Sequence, residues 1–145
     1  MTEVGRRATA PMVFRIIAVL SLLWNGFGAF DYVMTNVRDR DYLAKVPPET
    51  MQAIDAYPLW VMIAWGLGVW GAVAGSLLLL GRSRFAVPAF AVSLAGLAAS
   101  TVYQLWPQRP VNAPAGADAM MIAIWIAAVL QLILAIRWSR QRLLR

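Results

Sequence analysis

Four long apolar blocks, at about 13–34, 59–80, 85–106 and 119–136, take up most of this chain and restrict its solvent more than any single motif does. A helix needs roughly 20 predominantly apolar residues to cross about 30 Å of hydrocarbon, and each block comes close to that length. A water-soluble core of this size would interleave polar faces with apolar ones, whereas 61% of the residues here are apolar and only 14% charged. The expected fold is all-α and membrane-embedded. It has four transmembrane helices in an up-down antiparallel bundle, as one integral membrane domain over 1–145.

The charges sort by block end. Arg6, Arg7, Arg15, Arg82, Arg84, Arg137, Arg140, Arg142 and Arg145 fall on the side of both termini and the 81–84 turn, and Arg38, Arg40, Lys45 and Arg109 on the other. Six of the seven acids fall on that second side or at its boundary. By the positive-inside rule both termini of this multi-pass chain are expected in the cytoplasm. The net charge of +6 is therefore a topology signal rather than a nucleic-acid footprint, and no nucleic-acid partner is expected. A cleaved signal peptide is disfavoured. No small-x-small site follows the first block, and Trp24 and Phe27 stand where small residues would be wanted. The chain has no cysteine and no histidine, so thiolate and imidazole ligands are absent and no metal or cofactor is expected.

Between the first two blocks, Arg38-Asp39-Arg40-Asp41 reads as a solvated loop that compensates its own charge. Pro47-Pro48-Glu49 then opens a short amphipathic helix at about 48–57 on the outer surface, ended by Pro58. In the second block Ala64, Gly68, Gly71 and Gly75 share one helix face, and in the third Ala89, Ser93, Gly96 and Ser100 do the same. Small residues on one face let helix backbones approach closely in lipid, so these two faces are expected to pack. Pro107, Pro110 and Pro114 belong to an extended outer loop running through Asp118. Tyr32, Tyr57, Trp60, Tyr103 and Trp106 would form an outer aromatic belt, with Phe14, Phe85 and Trp138 at the inner interface.

Polar side chains inside the blocks are few. Ser21, Asn25, Gly28 and Tyr32 lie on one stripe of the first helix, with Asp31 beside it. Asp31 lies about 22 Å from an inner edge at Ile16, at 1.5 Å per residue, and so falls inside the outer boundary. It could meet Tyr103 and Gln104 at similar depth on the third helix, which makes Asn25, Gly28, Asp31, Tyr32, Tyr103 and Gln104 a candidate polar cluster. The structural alternative has Asn25 and Gln131 joining helices by hydrogen bonds and Asp31 at the water interface. Trp24, Trp65, Trp70 and Trp125 lie deep in their blocks and could line a groove for a quinone, carotenoid or lipid; filling space is the plainer reading.

Leu23-Trp24-Asn25, Gly28 and Asp31-Tyr32, then Tyr57-Pro58 with Trp60, and Phe85-Ala86-Val87-Pro88-Ala89-Phe90 with Ser93-Leu94 resemble a family of small bacterial four-helix inner-membrane proteins. The likeness covers about 20–106 and implies that the membrane is a bacterial inner membrane. Family members are often labelled sugar transporters, which implies a solute path, although no sugar-binding motif stands at these positions. Two functions are therefore weighed. One is a non-catalytic accessory or scaffold subunit that packs with membrane lipids, a larger membrane complex or further copies of itself. The other is a small-solute carrier with a polar site open to the outer side. No pair of acids stands at catalytic spacing inside the blocks, so an enzyme is not expected.

Overall fold

The computed structural model describes residues 11–105 and 117–145. Their elements are α1 (Met12–Asn36), α2 (Arg40–Leu43), α3 (Pro48–Asp55), α4 (Leu59–Leu80), α5 (Ala86–Leu105) and α6 (Ala117–Arg140). Four of these, α1, α4, α5 and α6, are long and apolar enough to cross a membrane. Prolines start three of the six. Pro11, Pro47 and Pro58 sit just before α1, α3 and α4 with ψ of 147°, 137° and 153°, and their carbonyls accept from Arg15, Met51 and Met62 in the first turns.

The ends of α1, α4 and α6 share a different device. Arg38, Arg82 and Arg142 adopt φ of 59°, 58° and 56°, the left-handed region that glycine usually occupies after a helix. The next residue's N–H then reaches back to a carbonyl of the last turn: Asp39 to Met34 (3.2 Å), Ser83 to Leu78 (2.8 Å) and Leu143 to Trp138 (3.0 Å). Gly81 stays helical at φ −71°, so the turn bends at the arginine that follows it.

The small-residue faces of α4 and α5 meet in an antiparallel register. A Cβ on Gly96 would stand 2.5 Å from the Ala64 carbonyl oxygen and 2.6 Å from the Gly68 nitrogen. One on Gly71 would stand 3.0 Å from the Ser93 nitrogen, and one on Gly75 2.7 Å from the Phe90 ring. Ser93 adds a hydrogen bond, its hydroxyl donating to the Gly68 carbonyl at 2.5 Å. Ser100 is buried two turns further on, with its hydroxyl turned to the Leu97 carbonyl of its own helix, and Ala89 is half-buried. On either side of this pair, α1 packs on α4 and α6 on α5.

Phe14, Ala18, Leu79, Ala86, Phe90, Ala135, Trp138 and Leu144 form one buried cluster, with Phe14 edge-on to Trp138 at 4.8 Å. That cluster gathers the beginning of α1, the end of α4, the beginning of α5 and the end of α6, so the four long helices alternate in direction. The segment after α6 closes this end: Arg145 N–H donates to the Arg82 carbonyl (2.6 Å) and Arg84 N–H to the Arg145 carbonyl (2.7 Å), while Arg82 Nε reaches the Leu143 carbonyl (2.9 Å).

Three sequence expectations change in detail. The 38–41 stretch is not a self-compensating loop, because Asp39 caps α2 by accepting from the Tyr42 N–H at 2.9 Å and Arg38 pairs instead with Asp55 at the end of α3. Asp118 lies in the first turn of α6 rather than in a loop, where a carboxylate suits the positive end of the helix dipole. That helix also continues past Ile136 to Arg140, because Trp138 buries its ring on Phe14 and arginines favour the negative helix end. Pro107, Pro110 and Pro114, Trp106 and the residues before Pro11 lie outside the described residues.

The α4–α5 contact makes a direct prediction. Gly96→Ala has to push two backbones apart, which should cost about 1–3 kcal/mol. Gly28→Ala, whose Cβ would meet nothing within 4 Å, should be neutral or stabilising by up to about 1 kcal/mol. Unfolding of the two variants in the same detergent, followed by circular dichroism, separates them.

Candidate functional site

At the end of α1 the Asp31 carboxylate accepts a 2.5 Å hydrogen bond from the Tyr42 hydroxyl. The short helix α2 delivers that phenol: its cap at Asp39 fixes the turn, and the Tyr42 ring packs edge-on against Phe30 at 5.7 Å. Asp31 therefore ties the connection after α1 back onto the helix end. The hydrogen bond to the carboxylate, helped by burial and by the like negative charge, pushes the Tyr42 phenol up to about 12 from its ordinary 10. Beside it, Arg38 and Asp55 pair α1's exit to α3.

The sequence-derived cluster is divided by α4, which stands between α1 and α5. Tyr32 turns onto α4, edge-on to Trp65 at 4.8 Å and near Trp70 at 6.4 Å. Gly66 makes room for it, since a Cβ there would stand 2.9 Å from the Tyr32 hydroxyl. Tyr103 on α5 joins Tyr57 (5.6 Å) and Trp60 (5.5 Å), all edge-on. Burial, with the Tyr103 phenol adding to it, raises the Tyr57 pKa. Gln104 follows on α5, half-buried. The expected meeting of Asp31 with Tyr103 and Gln104 is thus replaced by Asp31–Tyr42 on one side of α4 and an aromatic group on the other. Gly28 faces open space instead of a neighbouring helix. Of the deep tryptophans, Trp65 and Trp70 both border Tyr32, Trp24 and Trp70 are exposed on α1 and α4, and Trp125 is half-buried on α6.

Asn25 belongs to a separate junction deeper in the bundle. Its amide Nδ2 donates to Ser76 Oγ (2.8 Å) on α4 and Gln131 Oε1 (2.9 Å) on α6, with the Ala72 carbonyl also in reach at 3.2 Å. Ser76, fully buried, passes its own hydroxyl hydrogen to the Ala72 carbonyl at 2.9 Å and is left to accept from Asn25. Three helices are joined through two amides and one hydroxyl, and Gln131 is buried there with them. Ser21, one turn before Asn25 on the same stripe, is buried as well. Among the described residues no buried side-chain nitrogen or oxygen is left without a hydrogen-bond partner. No group of three or more metal-ligating side chains gathers among them either.

Sequence reasoning missed Tyr42, Ser76 and Gly66. Tyr42 lies in a charged stretch whose α2 is too short for a periodicity signal. Ser76 shares its helix face with Ala72, one turn away and on the side facing α1 rather than α5, a position that a search for one small-residue face overlooks. No family model matches the chain, and no curated protein or solved structure matches it significantly.

Removing Asn25 and Gln131 singly and together, as Asn25→Ala and Gln131→Ala, should give a coupling energy of about 0.6–1.7 kcal/mol, the range found for interhelical hydrogen bonds in lipid. Detergent-unfolding free energies of the four proteins in the cycle measure it. The Tyr42 phenol should titrate near pH 12 and fall toward 10 in Asp31→Asn, read by phenolate absorbance against a Tyr42→Phe blank. The sign follows from the raised folded value: the contribution to stability is present in full below about pH 10 and is lost as pH rises through about 12.

Proposed function

We propose that this chain is a non-catalytic membrane scaffold or accessory subunit, lying in a bacterial inner membrane with its arginine-rich end in the cytoplasm. The observation that carries the reading is the Asn25–Ser76–Gln131 junction. In a solute path, amides and hydroxyls at this depth would face water or a ligand. Here the Asn25 amide donates to Ser76 and Gln131 between packed helices, which is how polar side chains act as interhelical joints in lipid. The closeness of α4 and α5 at Gly96 favours the same reading, because it leaves no width between those helices for a passing molecule. Large apolar side chains such as Leu23, Phe27, Ile63, Leu67, Ile122 and Ile126 are exposed on three of the long helices, offering surface to lipid or to the helices of a larger complex.

A second reading, a small-solute carrier working as a dimer, draws on one feature. Asp31 and Tyr42 put a carboxylate and a phenol at the acidic end of the bundle, where a polar solute or a proton could arrive. The resemblance to proteins labelled sugar transporters points the same way.

Purification in mild detergent distinguishes the two. The scaffold reading expects a larger membrane protein to co-purify in fixed stoichiometry, and Asp31→Asn to retain it. A lone homo-oligomer whose solute uptake in proteoliposomes is lost in Asp31→Asn would overturn that reading in favour of the carrier.

A further inference from the structure

The face of α1 that turns away from the bundle has a feature that neither reading uses. Met12, Arg15, Ile16, Val19 and Leu20 line an open groove of about 590 Å³. These positions recur at three and four residues, so they make one face, opposite the buried Phe14, Ala18 and Ser21. Arg15 is the one charged residue in that lining and is exposed. An ion pair, Arg38–Asp55, lies at the other end of the bundle.

Charge is segregated around this groove. Among the described residues, Arg15, Arg82, Arg84, Arg137, Arg140, Arg142 and Arg145 all stand at the end where α1 begins and α6 finishes. The described acids, Asp31, Asp39, Asp41, Glu49, Asp55 and Asp118, belong to the opposite end. No Asp or Glu side chain of the described residues therefore stands at the end that holds Arg15. A guanidinium one turn inside an apolar helix needs an anionic partner at headgroup depth, and it takes phosphate oxygens in a two-pronged hydrogen-bonded pair.

We propose that this groove is a binding site for one anionic phospholipid, with the phosphate on Arg15 and an acyl chain along Ile16, Val19 and Leu20. The exposed apolar track does not stop at Leu20 but continues through Leu23 to Phe27. From Arg15 to Phe27 the helix rises about 18 Å, close to the roughly 15 Å depth of one leaflet's hydrocarbon. The headgroup anchor and the apolar track are thus spaced as the phosphate and tail of a lipid in the leaflet on the arginine side. Net charge gives the selectivity: a choline ammonium would approach a surface of like charge, whereas a phosphatidylglycerol headgroup carries no cation to be repelled.

Native mass spectrometry of the full chain, released from mild detergent after equilibration with equal amounts of phosphatidylglycerol and phosphatidylcholine of identical acyl chains, tests the site. The wild type should retain a single phosphatidylglycerol in preference to phosphatidylcholine by about fivefold or more. Arg15→Gln should remove that preference, while Arg137→Gln, which deletes the same charge from the same end on α6, should leave it intact. Val19→Trp keeps every charge and fills the groove, so it should empty the site. Equal retention of the two lipids by the wild type would overturn the proposal. So would an equal loss in Arg15→Gln and Arg137→Gln, which means diffuse charge, or full occupancy in Val19→Trp.

Discussion

Where α5 crosses α4, the hydrogen of Gly96 stands in place of a side chain that would strike the Ala64 carbonyl and the Gly68 nitrogen. The closeness of two backbones at that crossing governs the rest of the bundle. In hydrocarbon, apolar side chains gain little by leaving lipid for one another, so contact has to come from packing and from the few hydrogen bonds available. Gly71 on Ser93 and Gly75 on Phe90 extend the contact along both helices, and the Ser93–Gly68 hydrogen bond fixes its register. With α4 held against α5, its remaining faces become the surface on which α1 is arranged.

Polar groups settle how α1 and α6 are placed on that pair. Asn25 cannot face lipid cheaply, and the surface of α4 offers it Ser76 and the Ala72 carbonyl while α6 offers Gln131. One amide thereby orients two helices at once. Tyr32 does related work two turns further along, where the absence of a side chain at Gly66 admits its phenol and Trp65 supplies an edge-on ring. Asp31, neighbouring Tyr32 in sequence, points to the other side and secures Tyr42. Adjacent residues on a helix differ by about 100° in direction, which is why the two serve different neighbours.

Much of this architecture is readable from the chain alone, because lipid leaves few alternatives. The four blocks became α1, α4, α5 and α6, and the small-residue faces of the second and third blocks became a contact. Asn25 and Gln131 were recognisable as joints, though not as partners of each other, since helix periodicity gives a direction on each helix and not the angle between helices. The polar cluster failed for the same reason. Asp31 and Tyr103 share a depth, yet α4 stands between their helices, and depth is the coordinate that residue counting supplies. Tyr42 was invisible because a four-residue helix rests on a single Asp39 cap within a stretch whose alternating charges suggested a plain loop. The bends after α1, α4 and α6 were equally hidden: glycine is the usual residue for that backbone, and here arginine takes it at all three places.

The Asn25–Ser76–Gln131 junction also bears on how such a protein is made. Translation proceeds from the amino end, so Asn25, Ser76 and Ala72 exist before Gln131, the acceptor on the last helix, has been joined to the chain. At about 5–20 residues per second, the 55 positions between Ser76 and Gln131 occupy roughly 3–11 s of synthesis. For that interval Asn25 has the α4 acceptors but not the amide of α6. The two hydrogens of the Asn25 amide can therefore be taken by α4 first, and the last helix then arrives at a polar group already in place and adds the Gln131 carbonyl to it.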